Sequence, residues 1–331
     1  MLRIAFYLRA RIFQTCIATI FTLATLCAAS AEDWPTRYIK FIVAGAAGSA
    51  PDVIARIVAN DLGQTLGQQI VIENKPGAAG NLGTEAAALS APDGYAFLFG
   101  QAAPLALNQY LFKNLRFNAQ KDFAPIIMVG LSPMMIAASP HAKISSLAEL
   151  IAKAKAEPGK LSFATPSSKN IPHLTGELLK SKAGIDIVHV GYRNNPQAVS
   201  DTISGAVPLM IDGIPVIMPQ VRSKALVALA VSSQKRLPGI EAPAVAEVLP
   251  GFEVEGWFAI FAPNGIPVTI VDKLNRAAAA TLKKPLILEQ LHQLGIYPDV
   301  NNATPEQLQT FLQSQAEQYG AIVRAAGILP D

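Results

Sequence analysis

From Trp34 onward the sequence alternates short runs rich in β-branched residues with longer stretches of helical periodicity, and this alternation constrains the fold most strongly. Such alternation predicts an α/β fold in which a parallel sheet is flanked by helices. Strands are expected at residues 38–44, 69–74, 96–100, 187–190, 208–212, 226–231 and 257–262. Helices are expected to begin near Asp52, Gly83, Ser146, His173, Pro196, Val268 and Thr304.

The length of the α/β region predicts two domains, because about 300 residues exceed the usual size of one. Segments marked by Pro or Gly suggest one crossover near residues 131–135 and a return near 251–256. Lobe 1 would then comprise residues 32–133 together with 254–331, and lobe 2 residues 134–253. Two short hinges of this kind allow lobes to close on a ligand by bending.

The amino terminus predicts export. Arg3, Arg9 and Arg11 form a cationic head before an apolar stretch at residues 15–28, and Ala29-Ser30-Ala31 is a small-residue cleavage pattern. Residues 1–31 are therefore expected to be a cleaved signal peptide that directs the chain to the periplasm. A membrane anchor is disfavoured because the apolar stretch is shorter than the ~20 residues of a spanning helix. The mature protein is expected to be soluble.

Composition excludes several classes of function. Both cysteines, Cys16 and Cys27, lie in the segment to be cleaved, so the mature chain has no disulfide, thiol nucleophile or thiolate metal ligand. The chain has 27 Lys plus Arg and 24 Asp plus Glu, and the three arginines of the leader are removed with it. A mature charge near zero without a basic block argues against nucleic acid as a partner.

The segment Val43 to Asp52 follows a predicted strand and opens a predicted helix. Its small residues leave backbone amides uncovered, and amides at a helix amino terminus suit a carboxylate or phosphate. From the pattern alone, a tight strand-to-helix turn without a ligand is the favoured interpretation. The candidate ligand-binding residues of this segment are Gly45, Ala46, Gly48, Ser49 and Ala50.

A second small-residue segment, Lys75 to Glu85, repeats this arrangement after the next strand. Its glycines lack the Gly-x-Gly spacing of a dinucleotide-binding fingerprint, so no nucleotide cofactor is expected. The candidates here are Ala79, Asn81 and Gly83, and Gln101 is added at the end of the following strand.

In lobe 2, the segment Phe163 to His173 also ends a strand and begins a helix. Its candidate ligand-binding residues are Thr165, Ser168, Lys169 and Asn170. Lys169 can offer a full positive charge to an anion, although a loop lysine is more often merely solvated. Asp212 follows the apolar run Leu209 to Ile211, where α/β proteins gather ligand contacts, but a helix cap for Ile214 onward explains it equally well.

Catalytic and metal-binding motifs are missing from the sequence. It contains no Gly-x-Ser-x-Gly, His-Glu-x-x-His or phosphate-binding Gly-Lys-Ser/Thr motif, and no two of its four histidines have metal-ligand spacing. A structural role is favoured for each histidine. The chain is therefore expected not to be an enzyme and to use no cofactor or metal.

Several motifs together resemble the periplasmic substrate-binding proteins of tripartite tricarboxylate transporters, the Bug family. The resemblance runs from Trp34 to Asp331. The matching segments are Trp34-Pro35, residues 39–43, residues 72–83, Pro92-Asp93-Gly94-Tyr95, residues 121–125, residues 173–177, residues 188–193 and Gly256-Trp257-Phe258.

This resemblance implies a type II periplasmic-binding fold whose two lobes enclose the ligand. It also implies that the loops matching Gly45 to Ala50 and Ala79 to Gly83 bind a carboxylate, partly through ordered water, while lobe 2 selects the rest of the molecule. The expected function is delivery of a small organic anion to a membrane permease. The protein is expected to be a monomer. A periplasmic sensor that presents the ligand to a signalling protein is the alternative.

Two loops depart from the family pattern. Residues 47–52 lack a glycine and a hydroxyl that the family usually has, and residues 167–172 lack its Gly-x-Gly sequence. In the second loop Ile171 and Pro172 suit a more apolar ligand and Lys169 a more anionic one, and the sequence does not decide between them.

Overall fold

A computed structural model describes residues 34–193, 195–299 and 303–330 of the 331-residue chain. The predicted signal peptide lies outside these residues. The strands are β1 (Ile39–Val43), β2 (Ile70–Asn74), β3 (Ala96–Gln101), β4 (Phe123–Ala138), β5 (Ser162–Thr165), β6 (Val188–Gly191), β7 (Leu209–Gly213), β8 (Val227–Val231) and β9 (Glu255–Pro263). The helices are α1 (Ala50–Leu66), α2 (Asn81–Ala88), α3 (Leu147–Ala156), α4 (Ile171–Ala183), α5 (Asn195–Ile203), α6 (Ile214–Arg222), α7 (Val268–Leu282), α8 (Pro285–Gln293) and α9 (Pro305–Ala325).

Local capping fixes where several helices begin. The Ser146 hydroxyl accepts a hydrogen bond from the Glu149 amide at the start of α3, at 3.2 Å. At the start of α9, Thr304 and Gln307 form a reciprocal capping box. Each cap satisfies amides that the first helical turn leaves without a partner, so both helix starts are defined by adjacent residues alone.

The strands form two sheet regions that share β4. Sheet A has the order β2-β1-β3-β9-β4, and sheet B joins β4 to β7, β5 and β6, with β8 also paired to β4. The α/β class predicted from the sequence is confirmed. The expectation of a parallel sheet was only partly correct. β1 pairs in parallel with β2 and β3, and β5 pairs in parallel with β6 and β7, whereas β4 and β9 pair antiparallel with their neighbours.

Strand β4 is the main link between the sheets. Its residues from Phe123 to Pro133 pair with β9, and those from Met134 to Ala138 pair with β7. The segment predicted as a crossover is thus a continuous extended strand that changes partner between Pro133 and Met134. The register of β4 shifts between Pro125 and Ile127 and between Met128 and Gly130, whereas Pro133 pairs in regular register with Glu255.

The carboxyl-terminal helix α9 packs on both sides of this link. One buried apolar cluster contains Leu98 of sheet A, Phe163 of sheet B and Tyr319 of α9. The Tyr319 hydroxyl donates a hydrogen bond to the Glu255 carbonyl, and the Gln318 side chain donates to the Glu253 carbonyl at 2.6 Å. Helix α9 therefore fastens the start of β9 to the rest of the core.

Two absences among the described residues bear on function. No helix in this part of the chain has the length and apolar character needed to cross a membrane. Within the same residues, no three or more His, Cys, Asp or Glu side chains are grouped to hold a metal ion.

Candidate functional site

The loops selected from the sequence follow the carboxyl ends of parallel strands. In sheet A these ends are Val43, Asn74 and Gln101, and in sheet B they include Thr165 and Gly213. Parallel strands place their carboxyl ends at one edge of a sheet, which is where α/β proteins usually bind ligands. Each sheet therefore gathers its own candidate loops at one edge.

Strand register shows that the two edges face each other. Gln101 pairs with Phe258, which in turn pairs with Gly130 of β4, whereas Gly213 pairs with Met134. Both edges thus adjoin the short part of β4 between Gly130 and Met134. At roughly 3.3 Å per residue, four steps along a strand separate the edges by about 13 Å. This span is the size of a small organic molecule.

The first loop, residues 44–50, turns from β1 into α1. The Gly48 amide donates to a carboxylate oxygen of Asp52 at 2.8 Å, and the Ser49 amide and hydroxyl both donate to the Ala46 carbonyl. The expectation of uncovered amides therefore fails at Gly48 and Ser49. The amides of Ala46 and Ala47, both exposed residues, have no hydrogen-bond partner among the described residues.

Asp52 anchors the first loop and is not among the ligand residues predicted from the sequence. Its carboxylate accepts from the Arg56 guanidinium at 2.9 and 3.0 Å and from the Asn74 amide at 2.9 Å. The Asn74 side chain also donates to the Gly45 carbonyl at 3.1 Å. Bonds from Arg56, Gly48 and Asn74 lower the pKa of Asp52 to about 2. The sequence signal that could have identified this role of Asp52 is an acid in the first helical turn, followed four residues later by Arg56.

The second loop, residues 77–83, has an unusual backbone. Ala78 and Ala79 adopt left-handed φ angles of 47° and 53°, and Gly80 follows at 90°. This conformation costs an alanine roughly 1–2 kcal/mol, so other contacts must hold it. Buried Asn108 supplies them by donating to the Ala79 carbonyl at 3.2 Å and to Asn81 Oδ1 at 2.6 Å. Asn81, a predicted ligand residue, is buried with its side chain engaged by Asn108.

The two loops of sheet A lie against each other. Gln101 Nε2 donates to the Ala44 carbonyl at 3.2 Å and also lies beside Gly80. A Cβ at Gly83 would lie 2.7 Å from Ala44 Cα and 2.7 Å from the Lys75 carbonyl oxygen. Gly83 is therefore buried, and its lack of a side chain permits the two loops to approach each other. This approach brings the predicted candidates of both loops together at one edge.

The sheet-B loop, residues 165–170, is also held by internal bonds. Thr165 is buried, and its hydroxyl contacts the Ser167 carbonyl and the His189 ring, each at 2.7 Å. Asn170 Oδ1 accepts from the His173 amide at 3.0 Å and caps α4. Ser168 is exposed and Lys169 half-buried, with Lys169 at a left-handed φ of 58°. Ser168 is thus the exposed predicted residue of this loop, and Lys169 and Asn170 are both half-buried.

Asp212 is a buried carboxyl at the edge of sheet B. Its Oδ1 accepts from the Gly213 amide at 2.7 Å, and among the described residues its Oδ2 has no partner. Burial raises the pKa of Asp212 to about 7, although the Gly213 amide opposes this shift. The helix-cap interpretation is wrong, because Gly213 occupies the cap position of α6 without a side-chain bond.

A groove of about 650 Å³ lies elsewhere, between α1 and the edge strand β2. Arg56, Gln68 and Ile70 are among the residues that line it, and none of the predicted ligand residues does. Because the strained and amide-bearing loops lie at the facing sheet edges instead, we place the candidate site there.

The sequence matches a known protein family over most of its length. A family model described as the tripartite tricarboxylate transporter family receptor matches residues 54–328. The BugT protein of Bordetella pertussis is 35% identical over 301 residues, which cover 90% of this chain and 92% of BugT.

Solved structures give the same result. An R. palustris protein solved with adipate has a TM-score of 0.79 and 30% identity, with 90% of this chain and 100% of that chain covered. MatC from Rhodopseudomonas palustris with bound malate has a TM-score of 0.73 and 28% identity, with coverage of 88% and 100%. The two-lobed periplasmic-binding fold implied by the resemblance is confirmed, and the chain belongs to the tripartite tricarboxylate transporter receptor family, which includes the Bug proteins.

Proposed function

We propose that this protein is a periplasmic solute-binding protein that captures a small carboxylate between the facing edges of sheets A and B and delivers it to a membrane permease. The observation that carries the proposal is the juxtaposition of the first and second loops at one edge, facing the edge of sheet B that carries the sheet-B loop, with the strand ends Gln101 and Gly213 about 13 Å apart along β4. Family relatives solved with adipate and with malate support a carboxylate ligand.

The first loop supplies the carboxylate contacts in this proposal. The Ala46 and Ala47 amides are exposed beside the amino terminus of α1, whose partial positive charge favours an anion. No lysine or arginine occurs among residues 44–50, so the contacts are hydrogen bonds from amides, either direct or through ordered water.

The change of partner along β4 supports the predicted lobes. We assign lobe 1 to residues 32–133 with 254–331 and lobe 2 to residues 134–253, because β4 pairs with β9 up to Pro133 and with β7 from Met134. In this assignment β4 and the start of β9 form the hinges. The signal peptide at residues 1–31 and the periplasmic location complete the proposal.

We further propose that the ligand is a dicarboxylate. Ile171 and Pro172 are buried in the first turn of α4, which weighs against contacts from these two side chains to an apolar ligand. Lys169 lies between them and the exposed Ser168, on the part of the loop that reaches the surface. A second carboxylate, held near Lys169, fits this arrangement.

A thermal-shift and calorimetry series on residues 32–331 tests the proposal. Adipate and hexanoate form a matched pair, since they share six carbons and differ by one carboxylate, and malate provides a shorter diacid. Ligand at a hundred times its Kd stabilises the folded state by about 2.7 kcal/mol, which raises Tm by several degrees. We expect adipate or malate to bind more tightly than hexanoate, and Lys169→Gln to reduce that difference.

Two results would overturn the proposal. The first is absence of binding to every carboxylate after the protein has been unfolded and refolded to remove bound solute. The second is chemical conversion of a carboxylate by the pure protein, which would make it an enzyme. Binding of hexanoate as tight as that of adipate would reject only the dicarboxylate assignment.

A further inference from the structure

Two histidines lie directly behind the sheet-B loop. The imidazole rings of His173 in α4 and His189 in β6 stack with centroids 3.8 Å apart and an interplanar angle of 15°. Phe163 of β5 contacts the other side of His189, with ring centroids 5.0 Å apart. His173 is buried and His189 half-buried, so the pair forms a platform beneath the loop.

The single hydroxyl proton of Thr165 determines which tautomer His189 adopts. The Thr165 hydroxyl has one hydrogen, and it is donated to the Ser167 carbonyl at 2.7 Å. The 2.7 Å contact between Thr165 Oγ1 and His189 Nε2 therefore requires Nε2–H as the donor. Burial and the neighbouring His173 lower the pKa of His189 to about 4, so the ring is neutral at neutral pH. A neutral ring protonated at Nε2 leaves Nδ1 without a proton.

The same reasoning applies to His173. The Lys169 amide donates to His173 Nδ1 at 3.1 Å, so Nδ1 is an acceptor and the ring proton of the neutral form is on Nε2. His173 Nε2 faces Glu177 Oε1 at 3.6 Å, and Lys180 Nζ approaches the same oxygen at 3.0 Å. Glu177 thus favours the tautomer whose Nδ1 accepts the loop amide.

Each histidine consequently holds a different end of the loop. His189 donates to Thr165 where the loop begins, and His173 accepts from Lys169, whose left-handed φ of 58° requires external support. We propose that His173 and His189, both neutral and protonated on Nε2, are positioning residues that keep the sheet-B loop in its ligand-binding conformation. This inference rests on the proposed function only in taking that loop as a ligand contact.

The first test needs no ligand. Imidazole nitrogen shifts measured by NMR on the ligand-free wild-type protein at neutral pH distinguish the two tautomers. We expect both histidines to show Nε2–H and an unprotonated Nδ1. An Nδ1–H tautomer or a charged imidazolium at either residue would refute the proposal, whether or not the protein binds carboxylates.

The second test compares ring replacements with replacements that restore the hydrogen bond. His189→Phe keeps a flat ring without the donor, while His189→Gln can place an amide N–H at the Nε2 position. His173→Phe removes the acceptor, while His173→Asn can place an oxygen near Nδ1. Adipate and malate serve as probes, and exchange of the Lys169 amide is followed in the ligand-free protein.

We expect His173→Phe and His189→Phe to weaken binding about tenfold, whereas His189→Gln and His173→Asn should retain most of the wild-type affinity. Lys169 amide exchange should accelerate about tenfold in His173→Phe and return towards wild type in His173→Asn. Equal affinities in the Phe variants and wild type would refute the positioning role. If wild type binds neither probe, the proposed function fails, and the tautomers and amide exchange still decide this inference.

Discussion

The Asp52 carboxylate accepts a hydrogen bond from the Gly48 amide at 2.8 Å, which connects the first turn of α1 to the loop before it. The same carboxylate is held by Arg56 and by Asn74 at the end of β2. The position of the exposed Ala46 and Ala47 amides therefore depends on a side chain that is already engaged within the protein. Changes at Asp52 should affect ligand binding without removing any ligand contact.

Replacing Asp52 by Asn tests this dependence. The variant loses the charge that pairs with Arg56 and weakens the bond that fixes Gly48, so we expect adipate or malate affinity to fall about tenfold. In wild type the lowered pKa of Asp52 means that its stabilisation is present above about pH 3.8 and is lost as pH falls towards 2. Calorimetric titration and acid unfolding curves measure both effects.

Asp61→Asn is the matched control, because Asp61 lies on the same helix and its carboxylate is held by Thr281 and Lys284. The Lys284 ammonium lowers the pKa of Asp61 as well, so this variant should also lose stability at neutral pH. Its ligand affinity should stay at the wild-type value. If both variants lose affinity equally, the loop is not controlled by Asp52.

Gly83→Ala tests the close approach of the two sheet-A loops. The new Cβ would lie 2.7 Å from backbone atoms of both Ala44 and Lys75, which cannot move independently, and such overpacking typically costs about 1–3 kcal/mol or more. We expect lower stability in urea unfolding together with weaker carboxylate binding.

Gly67→Ala provides the comparison for that substitution. Gly67 has a left-handed φ of 72° at the end of α1, but a Cβ added there would meet no neighbouring heavy atom within 4 Å. Alanine there should cost about 1 kcal/mol from backbone strain alone and leave ligand affinity unchanged. A Gly83→Ala protein as stable as Gly67→Ala would show that the loops have room to separate.

Asn108→Ala tests the support of the left-handed turn at Ala79. Removal of the Asn108 side-chain amide leaves the Ala79 carbonyl and buried Asn81 Oδ1 without their donor, so we expect a loss of about 1–3 kcal/mol in the free energy of unfolding. The neighbouring Gln109 is exposed and bonds only to the Ala106 carbonyl among the described residues, so Gln109→Ala should change stability by less than about 0.5 kcal/mol. Similar losses in both variants would argue against the supporting role.

Two buried acids should make the protein less stable as pH rises. Burial raises the pKa of Asp212 from 3.8 to about 7, and burial with repulsion from Glu253 and Asp299 raises the pKa of Glu255 from 4.5 to about 8. Each folded-state carboxyl keeps its proton where the unfolded chain loses it. Between about pH 5 and 7 each group should therefore lower stability by about 1.4 kcal/mol per pH unit.

Asp212→Asn and Glu255→Gln isolate these contributions. Other titrating groups are shared with wild type, so the informative quantity is the difference in unfolding free energy between variant and wild type at each pH. We expect both variants to gain stability relative to wild type from pH 5 to pH 8. Differences that stay constant over this range would mean that the carboxyls are ionised in the folded protein.

The parts of the fold that sequence reasoning found are those determined by neighbouring residues. The run Tyr38 to Ala44 predicts β1 because Lys40 alone interrupts its apolar and β-branched residues, and the small-residue turn after it is equally local. Helix α8 was missed because Lys283 and Lys284 before Pro285 resemble a loop. Strand β4 was not among the predicted strands, and its residues 131–135 were expected to be a crossover because Pro133 suggested a break.

The site was predictable to a similar extent. Strand-to-helix turns identified the first, second and sheet-B loops, but not which of their groups are already engaged. The bonds of Gly48 to Asp52 and of Asn81 to Asn108 depend on elements brought together by the fold. The stacking of His173 on His189 depends on α4 lying against β6, and spacing in the sequence gives no sign of it.

The position of β9 within sheet A affects when the chain can fold. β9 lies between β3 and β4, so the strands formed by residues 39–101 have no continuous connection to β4 until residues 255–263 are available. Helix α9, which closes the shared core, comes later still. A growing chain that has not reached β9 therefore lacks the contacts that complete sheet A, whereas all strands of sheet B lie within residues 123–231. For the proposed export, this order means that the contacts made by β9 and α9 form only after residues 255–325 have been synthesised.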